Sequence, residues 1–125
     1  MTLECGRVYV IPSSVTKPPK DKICLCVCDT RAWFFFVNTK ASRIAGGSVL
    51  VTALECSALN YDSHLDLSGV VAFQPRELAQ GQARDMLADG AIRRVITALQ
   101  SGVRTLPKAH ADRAIGTLTA ALKTP

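Results

Sequence analysis

The sequence predicts a mainly β fold, in which about five antiparallel strands form a small barrel or sheet and two or three helices follow. Two neighbouring apolar runs, at residues 23–28 and 32–37, are too short for typical helices and are rich in β-branched, aromatic or cysteine side chains. Helical features begin only near residue 75. A run of strands followed by helices indicates an antiparallel sheet or small barrel with the helices at one end.

The composition is that of a globular protein with one core. The chain has 125 residues, of which 48% are hydrophobic and 20% charged, so it can bury a core and disorder is not expected. We expect a single domain over residues 1–125, with the barrel at about 6–73 and the helices at about 75–123. No apolar run approaches the roughly 20 residues that span a bilayer. The N-terminus lacks the features of a secretion signal, so we expect a cytoplasmic protein without a membrane contact.

The strands follow one another with polar breaks between them. Residues 6–11 predict a first strand that Pro12 closes, and residues 12–22 predict a polar loop. The run at 23–28 is apolar on both faces, which suits either a central strand covered on two sides or a strand lining a small barrel. Residues 29–31 form the predicted turn to its partner at 32–37. An antiparallel pairing across this turn would bring Lys22 and Thr39 to the same end of the sheet.

Two further strands are predicted after a basic, glycine-closed loop at residues 40–47. Residues 48–54 alternate weakly between apolar and polar side chains. Residues 64–73 alternate more clearly, with Leu65 and Leu67 apolar. Gly69 interrupts this second pattern, which predicts a bulge or sharp bend in a curled sheet.

The C-terminal part has the spacing of helices. Pro75 suits the first position of a short helix, and Gly81 follows soon after it. A longer helix is predicted from Leu87 to Gly102, which fits its C-terminal cap. A last helix is predicted after Pro107, and it has one apolar face. The apolar residues of the first of these two longer helices are Leu87, Ala91, Ile92, Val95, Ile96 and Leu99. Those of the last helix are Ala111, Ile115, Leu118 and Leu122.

The cysteines are interpreted as buried thiols. Cys24, Cys26 and Cys28 alternate along one predicted strand, a spacing that fits neither a disulfide nor the two-to-four-residue separation of zinc ligands. A zinc site would need further ligands from Cys5, Cys56 or His64, and a cysteine nucleophile would need His64 or His110 as its base. A zinc- or thiol-dependent enzyme is therefore a minor alternative, and we expect no metal and no cofactor.

Polar residues at the strand ends are the candidates for chemistry. Lys22 stands directly before the central strand beside Asp21, Thr39 ends its partner, and Asp62 precedes the strand at 64. A cation, a hydroxyl and a carboxylate around one cleft can carry out phosphoryl transfer on RNA without a metal. The net charge of +5 also favours an anionic or acidic partner. The alternative is that these residues are solvated strand ends.

Five segments resemble the MazF/PemK (Kid) toxins of type II toxin–antitoxin systems, over about residues 6–103. They are GRVYVI, KICLCVC, WFFFVNTK, LNYDSHLDLSGVVAF and RVITALQSGV. The resemblance implies an SH3-like barrel with C-terminal helices. It also implies metal-independent cleavage of single-stranded RNA to a cyclic phosphate, a homodimer, and a cognate antitoxin as a partner besides RNA.

The resemblance also implies roles for individual residues. Lys22 takes the place of an arginine that stabilises phosphate, although lysine lacks the bidentate fork of arginine. Thr39 matches the active-site threonine, and Asp21 or Asp62 stands for the supporting acid. The residues expected to hold the RNA backbone are Lys17, Lys20, Lys40 and Arg43, with Trp33 and Tyr61 as possible stacking surfaces. The alternative function is a non-enzymatic SH3-like module that binds protein or nucleic acid through the same groove.

Overall fold

The computed structural model describes residues 2–14 and 20–123, in which an antiparallel sheet of seven strands is combined with three helices. The strands are β1 (Arg7–Ser13), β2 (Lys20–Cys28), β3 (Trp33–Asn38), β4 (Ser48–Val51), β5 (Ser63–Asp66), β6 (Val71–Ala72) and β7 (Gln82–Met86). The helices are α1 (Pro75–Ala79), α2 (Asp89–Ser101) and α3 (Lys108–Ala121). The predicted mainly β class with C-terminal helices is thus confirmed.

The sheet is open, so the predicted barrel is wrong. Its strand order is β4-β5-β3-β2-β1-β7, with β6 paired beside β5 along the same edge of β3. Within the described part of the chain no pairing joins the edge strands β4 and β7. The strand count also exceeds the predicted five. The physical reason is that other parts of the chain cover both faces of the central strands. Their apolar side chains are therefore buried without closure of the sheet into a barrel.

The main core lies between one face of the sheet and helices α2 and α3. Leu25 and Val27 of β2 point into it, together with Phe35 of β3 and Leu65 of β5. The helical periodicity predicted for α2 is confirmed, because its buried residues are Ala91, Ile92, Val95, Ile96 and Leu99. No helix in residues 2–14 and 20–123 has both the length and the apolar character to cross a bilayer.

A second core covers the opposite face of the same strands. Its buried residues are Tyr9, Ile11, Cys24, Cys26, Phe34 and Phe73. The Phe34 ring meets Tyr9 and Phe73 edge-on, with centroids 5.9 and 5.3 Å apart. Short helix α1 follows Phe73 and lies against β1. Strand β2 is therefore a central strand covered on two sides, which was one of the two predicted arrangements.

The first hairpin is longer than the sequence suggested. Pro12 pairs with Asp21 and Ser13 with Lys20, so the predicted loop at 12–22 is partly strand. Strand β7 pairs with β1 only as far as Val10, which leaves an open edge at Pro12, where the missing N–H of proline is tolerated. The extension places Lys20, Asp21 and Lys22 on a strand rather than in a loop.

The predicted strand at 64–73 is interrupted as expected. β5 pairs with the end of β3 at Val37 and Asn38, and β6 pairs with the start of β3 at Trp33 and Phe34. The residues between β5 and β6, which include Gly69, leave the ladder there. The bend predicted at Gly69 is confirmed.

Candidate functional site

Lys22 is the most buried cation at the end of the central strands. It pairs with Ile11 across the β1–β2 ladder, and only 9% of it is exposed. It lies two residues before Cys24, so its side chain emerges on the face of β2 that carries the second core. Its ammonium stands 5.0 Å from the centroid of the Phe36 ring, within the range of a cation–π contact.

The Lys22 ammonium is held by strand β3. Nζ donates hydrogen bonds to Asn38 Oδ1 at 2.7 Å and to the Val37 carbonyl at 3.2 Å. The Asn38 amide in turn donates to Asp66 Oδ2 at 3.5 Å. A polar chain therefore runs across β2, β3 and β5 at one end of the sheet and fixes where the positive charge sits.

Burial lowers the pKa of Lys22, and the positive charge of nearby Lys20 lowers it further. The negative charge of Asp66 acts in the opposite direction. A lysine that releases its proton more readily than a solvated one can serve as a general acid closer to neutral pH. Lys22 thus combines a fixed position with a perturbed titration.

Lys22 lines a cleft of about 200 Å³, which we call the Lys22 cleft. Asp21 and Thr39 line the same cleft, together with Asn60 and Tyr61 from the turn before β5. The expectation that Lys22 and Thr39 emerge at one end of the sheet is confirmed. The lining of the cleft therefore includes residues that carry a cation, a carboxylate and a hydroxyl. Because neighbouring residues of a strand point to opposite faces, the Asp21 carboxylate is expected on the face of β2 opposite to the Lys22 side chain.

The two acids proposed for the site have different surroundings. Asp21 is exposed and forms part of the wall of the Lys22 cleft. Asp62 Oδ1 accepts a hydrogen bond from the Ala53 backbone N–H at 3.0 Å, so this carboxylate fixes the connection between β4 and β5. Of the two acids, Asp21 is the one that lines the Lys22 cleft.

The basic residues expected to hold RNA are spread around the site. Lys20 lines the Lys22 cleft, whereas Lys40 and Arg43 are exposed in the segment after β3. Lys17 lies outside the described residues. Of the described residues expected to hold RNA, Lys20 is the one that lines the cleft.

The two aromatic candidates differ in exposure. Tyr61 is 59% exposed and lines the Lys22 cleft, so its ring is open to a ligand. Trp33 packs against the main core, and its ring lies 4.5 Å from that of His110. Tyr61 is the aromatic side chain that the cleft presents. The sequence did not lead us to propose Asn38 or Asn60 as site residues. Both lie within two residues of Thr39 or Asp62, which we did propose, and that closeness could have identified them.

The cysteines lie in the cores. Cys24, Cys26, Cys28 and Cys56 are buried and Cys5 is half-buried, and all five are free. Burial raises the pKa of Cys26 to about 12, which keeps its thiol protonated. Within residues 2–14 and 20–123, no three His, Cys, Asp or Glu side chains are arranged to hold a metal ion. The cysteine ladder is packed as part of a core strand.

No protein family, no curated protein and no solved structure matches this chain. Its function is therefore inferred from the side chains of the Lys22 cleft, the charge of the chain and the resemblance of its segments. The cleft supplies the chemistry of that inference, since Lys22, Asp21 and Thr39 all line it.

Proposed function

We propose that this chain is a MazF/PemK-like endoribonuclease that cleaves single-stranded RNA in the Lys22 cleft without a metal ion. The observation that carries the proposal is that a nearly buried lysine with a lowered pKa shares one cleft with Asp21 and Thr39. Perturbed titratable groups in a cleft are typical of functional sites. The net charge of +5 favours an anionic substrate.

The reaction is a transesterification within the RNA chain. Asp21 accepts the proton of a ribose 2′-hydroxyl, whose oxygen then forms a bond to the adjacent phosphorus. The bond from phosphorus to the 5′-oxygen of the next nucleotide breaks, and Lys22 gives that oxygen a proton. Thr39 donates a hydrogen bond to a phosphate oxygen, which stabilises the charge that develops in the transition state. The products are a 2′,3′-cyclic phosphate and a free 5′-hydroxyl.

Two side chains around the cleft suit the rest of the substrate. The exposed Tyr61 ring offers a stacking surface for an unpaired base, a contact that tolerates any sequence. Lys20 brings positive charge beside the same cleft, where a phosphate would lie. A single strand fits this arrangement better than a duplex, because its bases are free to stack.

The test is cleavage of single-stranded RNA in a buffer with an excess of chelator, followed by analysis of the product ends. We expect cyclic phosphate ends from the wild type. Lys22→Met, Thr39→Ala and Asp21→Asn should each lower the rate by about a hundredfold or more, as general acid–base groups typically contribute. Lys108→Met is the matched control, because Lys108 is an exposed lysine of α3 that pairs with Asp112.

Thermal unfolding of each variant separates loss of chemistry from loss of fold. Full activity in both Lys22→Met and Thr39→Ala would disprove the site assignment. Activity that requires added Mg²⁺ would disprove the metal-independent reaction. Cleavage by Lys108→Met at the wild-type rate is expected in either case and validates the comparison.

A second candidate is an RNA-binding module without catalysis. The observation that favours it is that Asn38 and the Val37 carbonyl already accept two hydrogen bonds from the Lys22 ammonium. A cation held in this way can attract phosphate and still fail to transfer its proton. The cleavage assay separates the candidates, since a binder leaves the RNA intact while forming a salt-dependent complex.

A toxin of this type would act in the cytoplasm as a homodimer and would be restrained by an acidic antitoxin. The net charge of +5 supports an acidic partner. Expression in a bacterial host tests this part of the proposal. Growth arrest by the wild type and normal growth with Lys22→Met are expected, whereas equal growth with both would contradict a toxin.

A further inference from the structure

A second cleft adjoins the Lys22 cleft, and it has a volume of about 420 Å³. We call it the Arg76 cleft. Lys20 and Asp21 line both clefts, so the two adjoin at the start of β2. Its volume falls within the range of small-molecule sites. A strand that leaves the Lys22 cleft around the start of β2 would reach the Arg76 cleft next.

The walls of the Arg76 cleft come from two elements that are fixed to each other. The Glu77 carboxylate on α1 accepts hydrogen bonds from the backbone N–H of Ser14 at 2.8 Å and from its hydroxyl at 3.0 Å. The same carboxylate accepts the Gln74 backbone N–H at 2.8 Å, which closes the first turn of α1. These bonds tie α1 to the end of β1, so the cleft exists before any ligand arrives.

The side chains of the Arg76 cleft suit a nucleobase better than a second phosphate. Arg76 and Lys20 are cations, but Asp21 and Glu77 in the same wall offset their charge. Pro12 adds an apolar surface on which a ring can lie, and Gln80 adds an amide that can donate and accept. A mixed wall of this kind distinguishes bases by their hydrogen-bonding edges.

We propose that the Arg76 cleft binds a guanine base of the RNA strand whose phosphate lies in the Lys22 cleft. This inference rests on the proposed function, since it assumes that RNA occupies the neighbouring site. The guanidinium of Arg76 donates two parallel hydrogen bonds to guanine O6 and N7, which is the commonest base-specific contact of arginine. The Gln80 amide oxygen accepts from the guanine amino group. Adenine, in contrast, places a donor where O6 stands in guanine.

The test is binding of trinucleotides that carry 2′-O-methyl groups, which removes the attacking hydroxyl and prevents cleavage. Each position is varied in turn among the four bases, and the dissociation constants are measured at one salt concentration. At one position we expect guanine to bind about tenfold more tightly than the other bases, as one good bidentate contact provides. Arg76→Lys should bring the four bases within about twofold of each other, because lysine keeps the charge and loses the fork.

Arg104→Ala is the matched control, because Arg104 is an exposed arginine after α2 that does not line either cleft. It should retain the guanine preference. Wild-type binding without any base preference would overturn the guanine site and leave the proposed function standing. An Arg76→Ala variant that weakens all four trinucleotides equally would also overturn it, since Arg76 would then contact phosphate. No binding of any trinucleotide by the wild type would overturn both proposals.

Discussion

The ammonium of Lys22 lies 2.7 Å from Asn38 Oδ1, and this bond connects the third residue of β2 to the last residue of β3. The contact joins two positions that are 16 residues apart in the sequence. It holds the one buried lysine of the described chain at the rim of a cleft. The position and titration of that lysine are the basis of the first prediction.

Removing the charge of Lys20 should shift the titration of Lys22. The Lys20 charge lowers the pKa of Lys22, so Lys20→Gln should raise it, and Lys22 should keep its proton to higher pH. If Lys22 is the general acid, the alkaline limb of the pH–rate profile moves to higher pH in the variant. NMR titration of the Lys22 side chain gives the same answer without activity. Lys40→Gln is the control, and an unchanged Lys22 titration in Lys20→Gln would contradict the electrostatic account.

A side chain at Gly6 should destabilise the fold. Its φ is +89°, and a Cβ there would stand 3.0 Å from Met86 Cε and 3.2 Å from Ala121 Cβ. Gly6→Ala should therefore lower the free energy of unfolding by about 1–2 kcal/mol. Gly116→Ala is the matched control in α3, where a Cβ meets nothing, and it should raise that free energy by about 0.5–1 kcal/mol. Denaturant midpoints measure both, and equal effects in the two variants would refute the argument.

The ion pair between Glu55 and Arg94 should make stability depend on acid pH. Two hydrogen bonds of 2.6 and 2.8 Å join the groups, and the Arg94 contact lowers the pKa of Glu55 from 4.5 to about 2. The stabilisation is fully present above pH 4.5 and is lost as the pH falls toward 2. Glu55→Gln should cost on the order of 1 kcal/mol at pH 7, since Arg94 is partly exposed and solvent screens the pair.

The control for this pair is Lys108→Met, because the Lys108–Asp112 pair is far more exposed. It should change the free energy of unfolding by less than about 0.5 kcal/mol. Unfolding curves at pH 7 and pH 2 complete the comparison. A Glu55→Gln variant that remained equally destabilised at both pH values would show that the ionised carboxylate is not the cause.

The buried thiols should resist modification in the native protein. Burial raises the pKa of Cys24 and of Cys26, so their thiolate fractions at pH 8 are negligible. The half-buried Cys5, whose burial raises its pKa to about 11, should react slowly, and all five should react at once in denaturant. Thiol titration with Ellman's reagent measures the difference. Rapid labelling of the native protein, or zinc that stays bound through purification, would instead favour the thiol- or zinc-dependent alternative.

Sequence patterns that involve residues close together in the chain gave correct predictions of secondary structure and burial. The spacing of Ala91, Ile92 and Val95 placed one face of α2 in the core, and the dense apolar run of β2 indicated burial on both faces. The interruption at Gly69 was also visible, because glycine inside an alternating pattern marks a departure from the ladder. These features arise from local periodicity, which a single sequence displays directly.

Strand β7 could not be found in this way. Its residues Gln82–Met86 are mostly exposed on both faces, so they show no alternation of apolar and polar side chains. The strand exists because β1 offers it an open edge, with Arg7 paired to Met86. That edge comes from a segment more than 70 residues earlier in the chain, which no local pattern records.

The amino-acid order alone determined the β-rich class, the helical C-terminal region and the position of Lys22 and Thr39 at the same end of the sheet, because apolar spacing and a short turn impose them. Only the tertiary structure decided that the sheet stays open, that Tyr9 and Cys24 form a second core, and that Lys22 bonds to Asn38 beside a cleft. The physical reason is that these features depend on which distant segments pack against each strand. The local spacing of apolar residues carries no information about which segments those are.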